Sequence, residues 1–155
     1  MTKEEDKLEK ERFFTRELDT KGLNDPDSFM IAYYVGSIVP RNNPNYGKYK
    51  INIDIRKNKD GISGEIGFDA EEYELNEETV NKLYSYVERH IDTLKELNDN
   101  QAPDEIDGGG GPLRIKYKLE KISLKVVLAS EIDKMLVEAI IKDIVRIIKE
   151  TSKKK

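Results

Sequence analysis

The sequence predicts an α+β protein: a single antiparallel sheet of about four strands, two amphipathic helices packed on one face of it, and an N-terminal helical arm. Apolar and polar residues alternate along 48–57, the pattern of a strand with one buried face. Apolar residues recur at helical spacing along 77–97 and 132–148. Because most strand segments precede the helical ones, we expect the helices to cover one face of an antiparallel sheet.

The composition fits one folded domain and excludes several kinds of site. The chain has 155 residues, of which 37% are apolar and 37% charged, enough for one modest core. It has no cysteine, which excludes disulfides, thiolate zinc ligands and a thiol nucleophile, and which suits a reducing compartment. The charged N-terminus lacks the apolar stretch of a signal peptide, and no apolar run approaches the roughly 18 residues of a membrane span. We therefore expect a cytoplasmic protein with no membrane partner.

The chain is predicted to divide into an arm, one domain and a short tail. Leu8 is the only large apolar residue between residues 3 and 12, so residues 1–20 are expected to form a charged helical arm that is frayed or depends on a partner. Residues 21–152 form the single α+β domain, interrupted by a flexible loop over 98–112 that is rich in acidic residues and glycine. Residues 153–155 form a basic tail.

Three strands are predicted before the first long helix. The run 29–39 is rich in β-branched and aromatic residues and indicates a buried strand, with a short helix capped by Asp27 or Ser28 as the alternative. The sequence NKDG at 58–61 predicts a hairpin between the strand at 48–57 and the next one, because Asp-Gly tolerates the positive φ of a tight turn.

Two helices and a further β segment complete the prediction. Asn76 is placed to cap a helix from about 77 to 97, whose first turn is acidic. Along 113–128 the alternation slips by one position near Glu120, which predicts either one long strand with a bulge or two strands joined by an unusually tight turn. The last helix is predicted to start at Ser130 and to include the apolar stretch 132–148.

Residues suited to catalysis or metal binding are few or poorly placed. His90 is the only histidine and lies at the edge of a helical stripe, where a packing role is expected. The acids within 99–107 lack the spacing of a calcium loop, and the glycines at 108–111 are followed by Pro112 rather than by the lysine of a phosphate-binding loop. We predict a non-enzymatic protein with no cofactor and no metal site. An enzyme that uses carboxylates and a divalent ion is the remaining alternative.

Charge is segregated along the chain. Residues 69–107 carry 3 basic and 13 acidic residues, a net charge of −10, whereas residues 108–155 carry 12 and 6, a net charge of +6. If the helices cover one face of the sheet, the basic residues of the strands share the open face, which would attract a polyanion such as nucleic acid. The candidate residues of this basic face are Lys50, Arg56, Arg114, Lys116, Lys118 and Lys125.

The last helix is more apolar than packing on one sheet requires. Of the 17 residues from 132 to 148, 11 are apolar, and they span roughly 200° of the helical wheel against about 100° for a single packed face. The surplus arc is predicted to be covered by a second copy of the chain or, alternatively, by the N-terminal arm. Its residues are Val137, Ile141, Val145 and Ile148.

These features predict a binding or regulatory protein that acts through protein–protein contacts and forms a homo-oligomer through its last helix. Chains rich in Lys, Glu, Ile and Asn are common in AT-rich bacteria and their phages, so a phage-encoded inhibitor of a host system belongs to this class. The alternative is a nucleic-acid-binding protein that uses the basic face of the sheet.

Overall fold

The structure, a computed structural model, describes residues 16, 18, 22, 23, 25–36, 42, 44, 50–69, 71–100, 112–125 and 131–155. This part of the chain forms one antiparallel sheet and two helices, which confirms the predicted α+β class. The strands are β1 (Phe29–Val35), β2 (Ile51–Asn58), β3 (Gly61–Phe68), β4 (Glu71–Tyr73), β5 (Leu113–Tyr117) and β6 (Glu120–Leu124). The helices are α1 (Glu77–Asn100) and α2 (Glu131–Thr151). Neither α1 nor α2 has an apolar stretch of the length needed to cross a membrane.

The sheet within the described residues has six strands, in the order β4-β3-β2-β1-β5-β6, rather than about four. Strand β4 was missed because three residues are too few to show an alternating pattern. The segment predicted as one β region over 113–128 contains the hairpin of β5 and β6. Two strands with a tight turn is therefore the correct alternative and the bulged strand is wrong. The turn contains Lys118 at φ 52°, a value that non-glycine residues seldom adopt.

Strand β1 lies inside the sheet, which confirms the predicted strand and not the helical alternative. It pairs with β2 along its whole length and with β5 over Phe29 to Ala32. The hairpin predicted at 58–61 also forms, with Asn58 opposite Gly61.

The main core lies between one face of the sheet and both helices, as predicted. All six strands contribute to it, and Ile31, Ile53 and Ile115 are at most 2% exposed. Helix α1 continues to Asn100, so the predicted loop boundary at residue 98 is wrong; residues 101–111 of that loop lie outside the described residues. The buried helical residues are Thr79, Val80, Leu83, Tyr86, Val87, Leu94 and Leu97 in α1, and Val137, Ile140, Ile144, Ile147 and Ile148 in α2.

The opposite face of the sheet carries a second, smaller cluster. Leu18 and Leu23 are buried there against Met30 of β1. Leu18 is helical, the Leu23 amide donates to the Leu18 carbonyl at 2.8 Å, and Gly22 between them has φ 71°. This six-to-one hydrogen bond with a left-handed glycine is a Schellman helix end, in which the two flanking apolar residues touch. Leu18 of the predicted arm is therefore packed on the sheet, while residues 1–15, 17, 19 and 20 of the arm lie outside the described residues.

A buried polar cluster joins the start of α1 to the end of α2. The Asn76 side chain caps α1, as predicted, by accepting a hydrogen bond from the Thr79 amide at 2.8 Å, and it donates to the Thr151 carbonyl at 3.0 Å. The Thr79 hydroxyl lies 2.7 Å from that of Thr151 and 2.8 Å from that of Ser152. Because buried hydroxyls require partners, this cluster fixes how the two helices meet.

We expect Thr79→Val to lower the free energy of unfolding by about 1–2 kcal/mol, because valine fills the same space but leaves the Thr151 and Ser152 hydroxyls short of a partner. Urea denaturation followed by circular dichroism measures this loss. Thr93→Val, at an exposed position of the same helix, is the matched control and should change stability by less than about 0.5 kcal/mol. Equal effects of the two substitutions would contradict the role of the cluster.

Residues 153–155, predicted as a basic tail, extend the sheet beyond β4. Lys154 forms a bridge with Tyr73, and the Glu74 and Lys155 amides donate to the Lys153 and Glu72 carbonyls at 2.8 and 2.9 Å. The Lys154 ammonium also lies 2.7 Å from a Glu71 carboxylate oxygen, which raises the pKa of Lys154. The tail therefore covers hydrogen-bonding groups at the edge of the sheet.

Candidate interaction surfaces

Lys116, predicted on an open basic face, is buried instead. Its side chain is only 4% exposed because the chain leading into β1 lies over it. Its ammonium donates to the Ser28 hydroxyl at 2.6 Å, to the Ser28 carbonyl at 3.2 Å and to the Asp25 carbonyl. Burial lowers the pKa of Lys116, against the opposing effect of Asp25 and Asp27. The expectation of exposure is wrong here, and Lys116 anchors this chain segment to β5.

The other residues of the predicted basic face are spread among different surroundings. Arg56 Nε lies 3.4 Å from an Asp54 carboxylate oxygen, and the register places Asp54 beside Glu65 on β3, so this part of the face carries both signs of charge. Lys118 is exposed in the β5–β6 turn, with its ammonium 5.3 Å from the Tyr117 ring centre. The remaining three are half-buried: Lys50, Arg114 and Lys125.

The residues predicted as the uncovered arc of α2 are largely covered by the protein's own core. Val137 and Ile148 are 0% exposed, and Ile141 and Val145 are half-buried against the core. The expectation of an uncovered face is wrong at Val137 and Ile148. These residues are buried because α1 packs beside α2, so α2 is buried against a helix as well as against the sheet.

A different apolar surface of α2 is exposed. We call Ile132, Met135, Leu136 and Ala139 the α2 stripe; its three large residues are 74%, 70% and 42% exposed, and Ala139 is exposed as well. The spacing i, i+3, i+4 and i+7 places all four on one side of the helix. Ile132, Leu136 and the buried Ile140 follow one another at intervals of four residues, so helical periodicity alone would place all three on the core-facing side of α2.

Two hydrogen bonds connect the second half of α2 with α1 and its cap. One joins Asn76 to Thr151, and the other joins Tyr86 to Asp143. Burial raises the pKa of Tyr86, and the hydrogen bond from its hydroxyl to Asp143, at 2.8 Å, raises it further. Helix periodicity alone cannot reveal where a neighbouring helix stops covering a face, so the sequence carried no signal for the stripe.

Charged residues border the α2 stripe at both ends. Glu131 lies one residue before it and Lys142 three residues after it, and both are exposed. They are separated by 11 residues, which is about three helical turns, so they lie on nearly the same side of the helix.

A groove separates α2 from the start of β2. Its volume is about 520 Å³, and its apolar lining consists of Ile51, Ile141 and Val145. We call this feature the α2–β2 groove. Its basic lining residues, all from α2, are Lys142, Arg146 and Lys149.

Among the described residues, no group of three or more His, Asp or Glu side chains is placed to hold a metal ion. His90 is exposed, with its ring centre 4.5 Å from that of Tyr86. Of the loop acids considered above, Asp99 lies on α1, whereas Asp104, Glu105 and Asp107 lie outside the described residues.

Comparison of the chain with protein families, with curated proteins and with solved structures found no match.

Proposed function

We propose that this is a non-enzymatic binding protein that acts through protein–protein contacts and forms a homodimer through the α2 stripe. The observation that carries the proposal is the exposure of Ile132 and Met135, at 74% and 70%, on one side of the same helix. Large adjacent apolar side chains on a surface are typical of an interface. The dimer contact proposed here replaces the one predicted through Val137 and Ile148, which the core already covers.

The charges around the stripe favour an antiparallel pair of α2 helices. When two copies pair about the midpoint of residues 131–142, Glu131 of each copy lies opposite Lys142 of the other. A two-fold pair needs only one self-complementary patch, and the stripe with its two opposite charges is such a patch. The charges select this orientation, while the apolar contact supplies most of the affinity.

The polar side chains of the described residues support a binding role because their hydrogen bonds hold the fold together. Lys116 anchors the segment before β1, Tyr86 joins the helices, and the Tyr117 hydroxyl donates to Glu88 across α1 and β5 at 2.9 Å. A regulatory protein of the cytoplasm, such as a phage-encoded inhibitor that occupies a surface of a host protein, remains the proposal that the composition favours.

We expect the protein to be a dimer at about 50 μM. The double substitution Ile132→Lys with Met135→Lys should give a monomer, because it removes the apolar contact and places two charges from each copy in the interface. Light scattering coupled to size exclusion measures the mass. Leu119→Lys, which changes a 78% exposed apolar residue in the β5–β6 turn, is the matched control and should remain dimeric. A monomeric wild type at this concentration would refute the dimer.

The antiparallel orientation has its own test by exchange of charges. Glu131→Lys and Lys142→Glu should each raise the dimer dissociation constant by about tenfold at low salt. Each substitution places like charges opposite one another, and the two-fold symmetry repeats this repulsion at both ends of the contact. The double variant Glu131→Lys with Lys142→Glu should restore the wild-type value. Additive weakening in the double variant would exclude this pairing, and sedimentation equilibrium measures all four proteins.

A further inference from the structure

The α2–β2 groove offers an apolar surface that is recessed between two elements. Ile141 and Val145 are half-buried and pack against the core, so they hold fixed positions while part of each side chain faces the groove. Ile51, the first residue of β2, lines the groove from the sheet. A volume of about 520 Å³ lies within the range of sites that bind ligands or side chains.

Basic side chains border this apolar surface along one line of α2. Lys142, Arg146 and Lys149 follow one another at i, i+4 and i+7, so they rise about 10 Å along the helix. The Arg146 side chain is 59% exposed although it contacts Asp143 at 3.2 Å, and the Lys149 ammonium lies 5.4 Å from the Phe68 ring centre. Glu150 is the single acidic residue in the lining, so positive charge predominates in the groove.

We infer that the α2–β2 groove is the docking site for an acidic amphipathic helical segment of a protein partner. Such a helix places apolar residues at i, i+3, i+4 and i+7 on the groove floor and its flanking carboxylates beside the three basic residues. The inference shares with the proposed function only the premise that the protein works by binding proteins. The α2 stripe lies along the first half of α2, from Ile132 to Ala139, whereas the groove lies along the second half, from Ile141 to Glu150.

The shape and charge of the groove together favour this occupant over other polyanions. A nucleic-acid backbone would meet the basic residues but leave the apolar floor in contact with water. A bilayer surface presents its phosphates in a plane, whereas the apolar floor here is recessed behind the cations. A second copy of this chain fits less well, because the exposed face of its acidic helix α1 has the charge but few apolar residues.

The test uses a 14-residue peptide labelled with fluorescein. Its leucines are spaced at i, i+3, i+4 and i+7 so that they share one side of a helix, and glutamate occupies most other positions. We expect fluorescence anisotropy to give a dissociation constant in the micromolar range that rises with salt. A scrambled peptide of the same composition should bind at least tenfold more weakly, because its apolar residues no longer share one side.

The decisive variant is Arg146→Glu with Lys149→Glu, which should weaken binding of the peptide by at least 30-fold. Lys142 is left unchanged because it also borders the dimer contact. The matched control is Lys82→Glu with Arg89→Glu, which makes the same change in net charge on exposed positions of α1 and should bind within twofold of wild type. Val145→Thr, an isosteric change at the floor, should weaken binding by about fivefold. Thermal unfolding verifies that each variant is folded.

The inference would be overturned if the wild-type protein did not bind at 100 μM peptide, or if the scrambled peptide bound equally well. It would also be overturned if the α1 control lost as much affinity for the peptide as the groove variant, or if the Arg146 and Lys149 variant kept the wild-type dissociation constant. Vesicles of phosphatidylglycerol and a 20-nucleotide oligothymidine are titrated in parallel. Tighter binding of either one, with the same dependence on Arg146, would also overturn it and assign the groove to that class of ligand. The dimer is tested separately by the Ile132 and Met135 variant, so failure of one proposal leaves the other standing.

Discussion

Gly64→Ala is expected to lower the free energy of unfolding by about 3–5 kcal/mol, or to prevent folding altogether. Gly64 lies within β3 at φ 136°, a backbone conformation that alanine rarely adopts. A Cβ built on Gly64 would lie 1.7 Å from the Asp54 carbonyl oxygen of the neighbouring strand. Because that oxygen belongs to the backbone of β2, which is paired on both sides, the contact cannot be relieved by a change of rotamer.

Two other glycines separate the contributions of strain and contact. Gly61→Ala introduces a side chain at φ 124° with nothing within 4 Å, so it should cost only the backbone strain, about 1–2 kcal/mol. Gly67→Ala meets only the Glu71 carbonyl at 3.4 Å and should change stability by less than about 1 kcal/mol. Urea denaturation ranks the three variants. A Gly64→Ala protein as stable as Gly61→Ala would show that β2 and β3 do not approach as closely as described.

Lys116→Met is expected to lower the free energy of unfolding by about 2–3 kcal/mol, because methionine fills the space but leaves the buried Ser28 carbonyl and hydroxyl without their donor. The substitution should also loosen the segment before β1 locally, in addition to lowering the overall stability. Hydrogen exchange at the Leu23 amide, which is bonded to the Leu18 carbonyl, should accelerate as the segment before β1 loosens. Lys118→Met, which removes an exposed cation two residues away, is the control and should cost less than about 0.5 kcal/mol.

The same lysine makes a signed prediction about pH. Burial places the pKa of Lys116 in the folded protein below its ordinary value of 10.5, so between these two values the unfolded chain binds more protons than the folded one. Stability contributed by Lys116 therefore rises with pH across that window. The difference in unfolding free energy between wild type and Lys116→Met should widen as the pH increases toward 10.5. A difference that narrows over this range would contradict the buried state of the ammonium.

Local patterns predicted the elements whose signals are complete within a few residues. The alternation of β2, the Asp60-Gly61 turn and the Asn76 cap each depend on neighbours in sequence, and each is present. Strand β4 and the Lys118 turn were harder, because β4 has only three residues and Lys118 takes a positive φ without being glycine or asparagine. These conformations are stabilised by pairing with distant strands, which a single sequence does not display.

The interaction surfaces depend on packing between segments that are distant in sequence, so the sequence alone predicts less well which of their residues are exposed. Alternation correctly places Lys116 on the side of β5 opposite the helices, but it cannot show that Leu18 and Leu23 return to cover that side. A helical-wheel projection of α2 likewise shows how widely its apolar residues are spread around the helix. Which of them are buried depends on where α1 packs against α2. Val137 is therefore buried, although it was predicted to belong to an uncovered arc, whereas Met135 is 70% exposed.

The position of β1 has a consequence for how the chain folds as it is synthesised. One neighbour of β1, strand β2, begins at Ile51, whereas the other, β5, begins only at Leu113. Until the ribosome has released that segment, β1 presents an unpaired apolar edge, for several seconds at ordinary rates of translation. Docking of the β5–β6 hairpin is thus expected to limit the folding rate, and the nascent chain needs protection from aggregation during that interval.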